Sequence, residues 1–94
     1  MFIVLLTYLK PMDIVDNYLI EHRAYLDEGY KNNFLIASGP KNPRNGGVLL
    51  SQLTDKTQLE NFLKRDPFHV HAIASYEIIE FTPVKYHEGF AGFV

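Results

Sequence analysis

Four short apolar segments alternate with two helical patterns in this chain, and that order constrains the fold more than any other feature of the sequence. The apolar segments are rich in aliphatic, β-branched and aromatic residues, which indicates strands. They span residues 2–9, 34–38, 47–53 and 73–82. Pro11 and Pro83 close the first and the last, because proline has no N–H to donate to a sheet. The sequence therefore predicts the order β-α-β-β-α-β.

The first helical pattern carries a histidine on its apolar stripe. Asp13 is a suitable N-cap, and Gly29 or the polar stretch 31–33 is a stop signal. Between them, mostly large apolar residues recur at spacings of three and four, which predicts one amphipathic helix. The stripe comprises Ile14, Val15, Tyr18, Leu19, His22, Tyr25 and Leu26. The helix should therefore direct His22 inward.

The second helical pattern is shorter and ends in an Asp-Pro dipeptide. Thr54 or Asp55 can cap this helix, which we expect over residues 57–65. Asp66-Pro67 then interrupts it. A further helical turn over residues 68–72 is expected, because proline suits the first position of a helix.

This order predicts an α+β, ferredoxin-like βαββαβ fold with a four-stranded antiparallel sheet and its helices on one face. The opposite face would be bare although its strands look apolar, so we expect a second copy to cover it. The expected assembly is therefore a homodimer or a higher oligomer. At 94 residues the chain has the length of a single domain, 1–94, with an aromatic, glycine-rich tail at 84–94.

Composition excludes several classes of function. The net charge is −2 and no basic patch stands out, so nucleic acid is not an expected partner. The chain has no cysteine, which excludes thiolate catalysis and cysteine-ligated metals. Its apolar N-terminus is too short to span a bilayer and lacks the features of a signal peptide, so we expect a cytoplasmic protein without a membrane partner. No phosphate-binding glycine motif leads into a helix, and no cofactor is predicted.

Three features are candidates for chemistry, and each has a simpler structural explanation. His22 is either a core histidine bonded to a backbone carbonyl or a general acid/base in a pocket, since imidazole exchanges protons near neutral pH. Asp66 is either only an N-cap or also the group that orients His22. Ser38, Gly39 and Pro40 form either a turn or a place where backbone and hydroxyl approach a ligand. The residues alone leave these alternatives open.

His69 and His71 form a His-x-His pair, which has metal-ligand spacing on a strand. In a helical turn the two side chains diverge, and no third ligand is apparent nearby. We therefore predict no metal site and expect both residues to be exposed or at the rim of a pocket.

The chain resembles the YciI-like (YCII-related) family of the dimeric α+β barrel superfamily. The resemblance rests on motif order: the apolar strand 2–9, His22-Arg23-Ala24-Tyr25-Leu26, Ala37-Ser38-Gly39-Pro40, Gly46-Gly47-Val48-Leu49, Asp66-Pro67-Phe68 and the strand 73–83. It implies a dimer with a pocket built around a histidine and an aspartate, roles that correspond to His22 and Asp66. The family includes enzymes that eliminate chloride from chlorinated hydroxyquinols.

Three functional hypotheses follow. The first is an acid/base enzyme, a lyase or dehydrochlorinase, in which Ser38 or a backbone N–H near Gly39 and Pro40 holds a polar group of a small-molecule substrate. In that enzyme Tyr8, Tyr25 and Phe68 would line an aromatic pocket. The second is a small-molecule binding module without turnover. The third is a structural dimer domain in which the candidate pair only supports the core. Haem-handling or quinol-oxidising relatives fit less well, because this chain has the Asp-Pro-aromatic pattern.

Overall fold

The computed structural model describes residues 1–94 and confirms the order of elements. The four strands are β1 (Phe2–Tyr8), β2 (Leu35–Pro40), β3 (Gly46–Ser51) and β4 (Ala74–Glu80). They form one sheet in the order β2-β3-β1-β4, and every neighbouring pair is antiparallel. The fold is therefore α+β and ferredoxin-like, as the order of elements predicts.

The helices differ from the prediction in one respect. They are α1 (Met12–Asn17), α2 (Leu19–Lys31), α3 (Lys56–Leu63) and α4 (Pro67–Val70), with a C-terminal 3₁₀ helix at Glu88–Phe93. The prediction of one long first helix was wrong, because the chain leaves the helical conformation at Tyr18, where φ is −110° and ψ is 2°. The apolar stripe continues across this break, so its spacing gave no sign of it.

Two local boundaries also differ. Pro11, not Asp13, occupies the N-cap of α1. Asp13 lies in the first turn, where its negative charge interacts favourably with the helix dipole. Strand β2 runs on through Gly39 and Pro40, which were expected to form a turn. Proline is tolerated there because β2 is an edge strand, and Pro40 still pairs with Gly47 of β3.

The core lies between the sheet and the helices. Phe2, Val4 and Leu6 alternate along β1 with half-buried or exposed residues and face the helices. Gly29 lies within α2 and does not end it. It packs closely against α3, since a Cβ there would come 2.7 Å from the Phe62 Cζ. None of the helices has the length and apolarity needed to cross a membrane.

The other side of the sheet, here called the open sheet face, carries five aliphatic residues. Strand pairing places Ile3 of β1 opposite Leu50 of β3 and Ile79 of β4, and places Leu5 opposite Val48. Four of the five are half-buried, and Ile79 is 40% exposed. The helices pack against the other side of the sheet, which gives the two-layer arrangement of the fold.

Candidate active site

His22 and Asp66 lie 44 positions apart in the sequence and meet in the structure. The Nδ1 of His22, on α2, lies 2.8 Å from Oδ1 of Asp66, the N-cap residue of α4. Asp66 is fully buried, and its Oδ1 also accepts a hydrogen bond from the backbone N–H of Phe68 at 2.9 Å. Its Oδ2 accepts one from the Tyr76 hydroxyl at 2.7 Å. The capping role and the histidine-orienting role of this aspartate therefore coexist.

The hydrogen bond to Asp66 decides which ring nitrogen of His22 is free. An ionised carboxylate can only accept, so we assign the proton of a neutral imidazole to Nδ1. Nε2 then carries a lone pair, and no protein group bonds to it. The Phe68 ring stacks on the imidazole at 3.9 Å between centroids with 1° between planes, which holds the ring orientation. The side chain of His22 remains 10% exposed.

A pocket of about 290 Å³ opens beside the imidazole. It lies between α2, the end of β1, the paired strands β2 and β3, and α4. Half of its 14 lining residues are hydrophobic. Six of the residues singled out in the sequence line it: Tyr8, His22, Ser38, Gly39, Pro40 and Phe68. Because Asp66 lies behind the ring and does not line the pocket, Nε2 is the nitrogen available to a ligand.

Tyr25 does not line the pocket, contrary to the prediction. Its hydroxyl donates to the backbone carbonyl of Phe62 at 2.7 Å, and its ring stacks on the Phe62 ring at 4.6 Å. Burial raises the pKa of Tyr25 well above its usual range, and the nearby charge of Asp66 adds to the effect. Helical spacing correctly predicted that Tyr25 lies on the inward stripe. That stripe faces the pocket on one side and α3 on the other, and Tyr25 lies on the side that contacts α3.

The hydroxyl of Ser38 is already engaged on one side. It lies 2.6 Å from the hydroxyl of Tyr30, on α2, and either group can donate. A hydroxyl has one proton and two lone pairs, so Ser38 retains capacity for a ligand. A Cβ at Gly39 would meet no atom within 4 Å, so the absence of a side chain there is not a packing requirement.

Sequence reasoning missed three side chains that shape this site. Arg23 and Arg44 line the pocket, and Tyr76 binds Asp66 from β4. Alternation along β4 was a usable signal for Tyr76, which shares the helix-facing side of the strand with Ala74. Arg44 lies in a loop, where spacing carries no directional information.

His69 and His71 lie outside the pocket and are exposed. The ring of His71 stacks on Tyr18 at 4.4 Å, and the ring of His69 lies 5.6 Å from Tyr76. They diverge because residues 67–70 are helical. No three His, Asp or Glu side chains of the chain are grouped as a metal site would require.

Replacing Tyr76 with phenylalanine should destabilise the protein by about 1.5–3 kcal/mol, the range for a hydrogen bond to a charged group. Burial raises the pKa of Tyr76 well above its usual range, so its hydroxyl stays protonated and donates to Asp66 at any pH the fold tolerates. Urea unfolding of the variant measures the change. Tyr25→Phe is the matched control, because it removes a bond to a neutral carbonyl, worth about 0.5–1.5 kcal/mol. Equal losses in the two variants would contradict the expectation.

Comparison with known proteins agrees with this architecture. A solved structure that resembles the chain is 5-chloro-2-hydroxyhydroquinone dehydrochlorinase (TftG) from Burkholderia phenoliruptrix AC1100, in complex with 2,5-dihydroxybenzoquinone. The two share 15% sequence identity with a TM-score of 0.72, over 87% of this chain and 94% of the other. At this identity the likeness shows a common fold. A search of curated proteins finds no match.

The model of one protein family covers most of the sequence. The YCII-related domain matches residues 1–82, a span that contains all four strands and both members of the His22–Asp66 pair. This match confirms the resemblance seen in the motif order. The chain belongs to the YCII-related domain family.

Proposed function

We propose that this protein is an acid/base enzyme of the lyase type that acts on a small cyclic compound. The observation that carries the proposal is the position of His22: Nδ1 is bonded to a buried carboxylate while Nε2 is free beside a pocket of about 290 Å³. A histidine that only supported a core would have no open space at its second nitrogen. A base oriented by a carboxylate contributes about 10²–10⁴-fold to a proton transfer.

The fold shared with a dehydrochlorinase suggests elimination of hydrogen chloride from a chlorinated hydroxyquinol as the reaction to test. His22 would first move a proton from a ring hydroxyl to the carbon that bears chlorine. It would then take the proton of a second hydroxyl, whose oxygen becomes a carbonyl as the ring π electrons shift and chloride leaves with the electron pair of the C–Cl bond. The net loss is one proton and one chloride, and the imidazolium returns its proton to water.

Asp66 would support both steps without touching the substrate. Its carboxylate keeps the imidazole in one orientation and stabilises the imidazolium formed when Nε2 takes a proton. The Ser38 hydroxyl and the backbone near Gly39 and Pro40 line the pocket from β2, where they would hold a polar substituent of the ring. Tyr8 and Phe68 supply aromatic surface. In the proposed steps every proton passes through His22, and water is the final acceptor.

The test is chloride release from 5-chloro-2-hydroxyhydroquinone by the purified protein, followed with a chloride electrode and by chromatography of the product. We expect a rate above the spontaneous one, and in D₂O a product that carries deuterium at the carbon that lost chlorine. A protein that binds such compounds without turnover would instead show ligand-dependent thermal stabilisation and no chloride. That outcome would reject the enzyme and favour the binding module.

We also propose that the protein is a homodimer joined through its open sheet face. The face groups five aliphatic residues, of which four are half-buried and Ile79 is 40% exposed, and such apolar patches mark protein contacts. A small chain gains from this contact, because at 94 residues it buries a limited share of its own surface. A cytoplasmic location stays a prediction from the sequence.

Leu50→Glu should convert the dimer to a monomer, because a charge in the centre of the open sheet face would be buried without a partner. Sedimentation equilibrium of wild type and variant measures the change. Ile20→Glu is the matched control: Ile20 is 83% exposed on α2, away from this face, and the same substitution there should leave the dimer intact. A wild-type protein that sediments as a monomer would refute the proposed assembly.

A further inference from the structure

The charged side chains that line the pocket all carry the same sign. Arg23 and Arg44 line it, and no aspartate or glutamate does. The chain as a whole has the opposite balance, with nine basic and eleven acidic residues. A cleft lined by cations and partly closed by apolar walls concentrates anions, because the field is weakly screened there.

Arg44 is held in place from outside the pocket. Its Nη2 donates to Oδ1 of Asp16 at 2.8 Å, across 28 positions of sequence. This hydrogen bond is the first cause of the raised pKa of Arg44. A guanidinium has five N–H donors, and Asp16 is the one side chain that accepts from it at hydrogen-bond distance. The remaining donors are available to a ligand.

The loop that carries Arg44 is fixed by its own backbone. Tyr8 N–H donates to the carbonyl of Asn45 at 2.9 Å, and Lys41 N–H donates to the carbonyl of Gly46 at the same distance. Gly46 is required at the end of this loop, since a Cβ there would come 1.8 Å from the Leu6 carbonyl oxygen. The guanidinium is therefore presented by an ordered loop, which reduces the entropy lost when a ligand binds.

Arg23 approaches the pocket from another element. It follows His22 on α2, and neither of the two ion pairs of the chain includes it. Its charge is therefore uncompensated at short range, whereas that of Arg44 is shared with Asp16. Two guanidinium groups on separate elements can bind one carboxylate from two sides, the recognition to which arginine is suited.

We propose that Arg23 and Arg44 form an anion subsite of the pocket, which favours a small ring ligand bearing a carboxylate over its uncharged counterpart. The carboxylate binds to the two guanidinium groups while the ring lies against Tyr8 and Phe68, within reach of His22. The anion subsite rests on the proposed function only for the reaction at His22 that follows binding. Binding of the carboxylate itself does not depend on turnover. The pocket volume, at the lower end for ligand sites, limits the substrate to a single small ring.

The test is equilibrium binding of benzoate and of benzamide, two probes of nearly equal shape that differ in charge, measured by calorimetry at low salt. We expect benzoate to bind at least tenfold more tightly and to weaken as salt is added. Arg23→Gln and Arg44→Gln should each weaken benzoate by about 10- to 100-fold, as expected for loss of a hydrogen bond to a charged group, and leave benzamide unchanged. Lys64→Gln removes the same charge outside the pocket and should change neither.

Benzoate that fails to bind, or binds no more tightly than benzamide, overturns the subsite. Benzoate binding that survives in both arginine variants also overturns the subsite. Thermal unfolding of each variant shows whether it is folded. The His22→Gln variant separates the two proposals: it should keep benzoate binding, since the carboxylate contacts the arginines. Loss of turnover with retained benzoate binding in His22→Gln supports both the acid/base function and the anion subsite. Selective benzoate binding in a wild-type protein without turnover supports the subsite alone.

Discussion

Replacing His22 with glutamine should lower the rate of chloride release by about 10²–10⁴-fold, the contribution of a general acid/base. Glutamine retains a donor for the carboxylate of Asp66 and a similar volume against Phe68, so the pocket should keep its shape. It has no nitrogen that accepts a proton near neutral pH. The loss should therefore appear in kcat, with KM little changed. Steady-state kinetics on 5-chloro-2-hydroxyhydroquinone measures it.

The matched control is His71→Gln. His71 is exposed, lies outside the pocket and stacks on Tyr18, so this variant loses an imidazole without touching the site. We expect its kcat to stay within a factor of two of the wild-type value, as is usual for a surface change. A His22→Gln variant that retains wild-type turnover would remove the acid/base proposal and leave the fold and the pocket.

Asp66→Ala should be strongly destabilising, at about 3–5 kcal/mol. Three donors lose their acceptor at once: His22 Nδ1, the Phe68 backbone N–H and the Tyr76 hydroxyl. The Asp66 side chain is fully buried, so water does not replace its carboxylate without rearrangement. Small domains have a total stability of about 5–15 kcal/mol, so the variant should be close to unfolding at physiological temperature. Urea unfolding followed by circular dichroism measures the loss.

Asp66→Asn distinguishes stability from catalysis at the same position. The amide oxygen can accept from His22 and Phe68, and the amide nitrogen can donate to the Tyr76 oxygen, so all three contacts have a neutral substitute. We expect a folded protein whose turnover falls because an uncharged amide stabilises the imidazolium less. If Asp66→Asn kept full turnover, the aspartate would be a cap and a core group only.

Local chemistry determined most of the architecture. Apolar segments and proline positions predicted the four strands and their order along the chain. The two N-cap residues Asp55 and Asp66 were among those proposed for that role. What remained undetermined were positions where tertiary contacts override local preference. The chain leaves the helical conformation at Tyr18, between α1 and α2, and β2 continues through Pro40, which pairs with Gly47 of β3. Neither feature is visible in local spacing.

The candidate site divides in the same way. Helical periodicity by itself placed His22 on an inward stripe, and the Asp-Pro dipeptide by itself indicated a cap at Asp66, because both signals depend on neighbours within four residues. The 2.8 Å contact between the two side chains joins positions 44 apart, and only the tertiary structure decided it. The same holds for Tyr76 behind the carboxylate and for Arg44 at the pocket. Chain topology sets such distances, and residue spacing along one element carries no information about them.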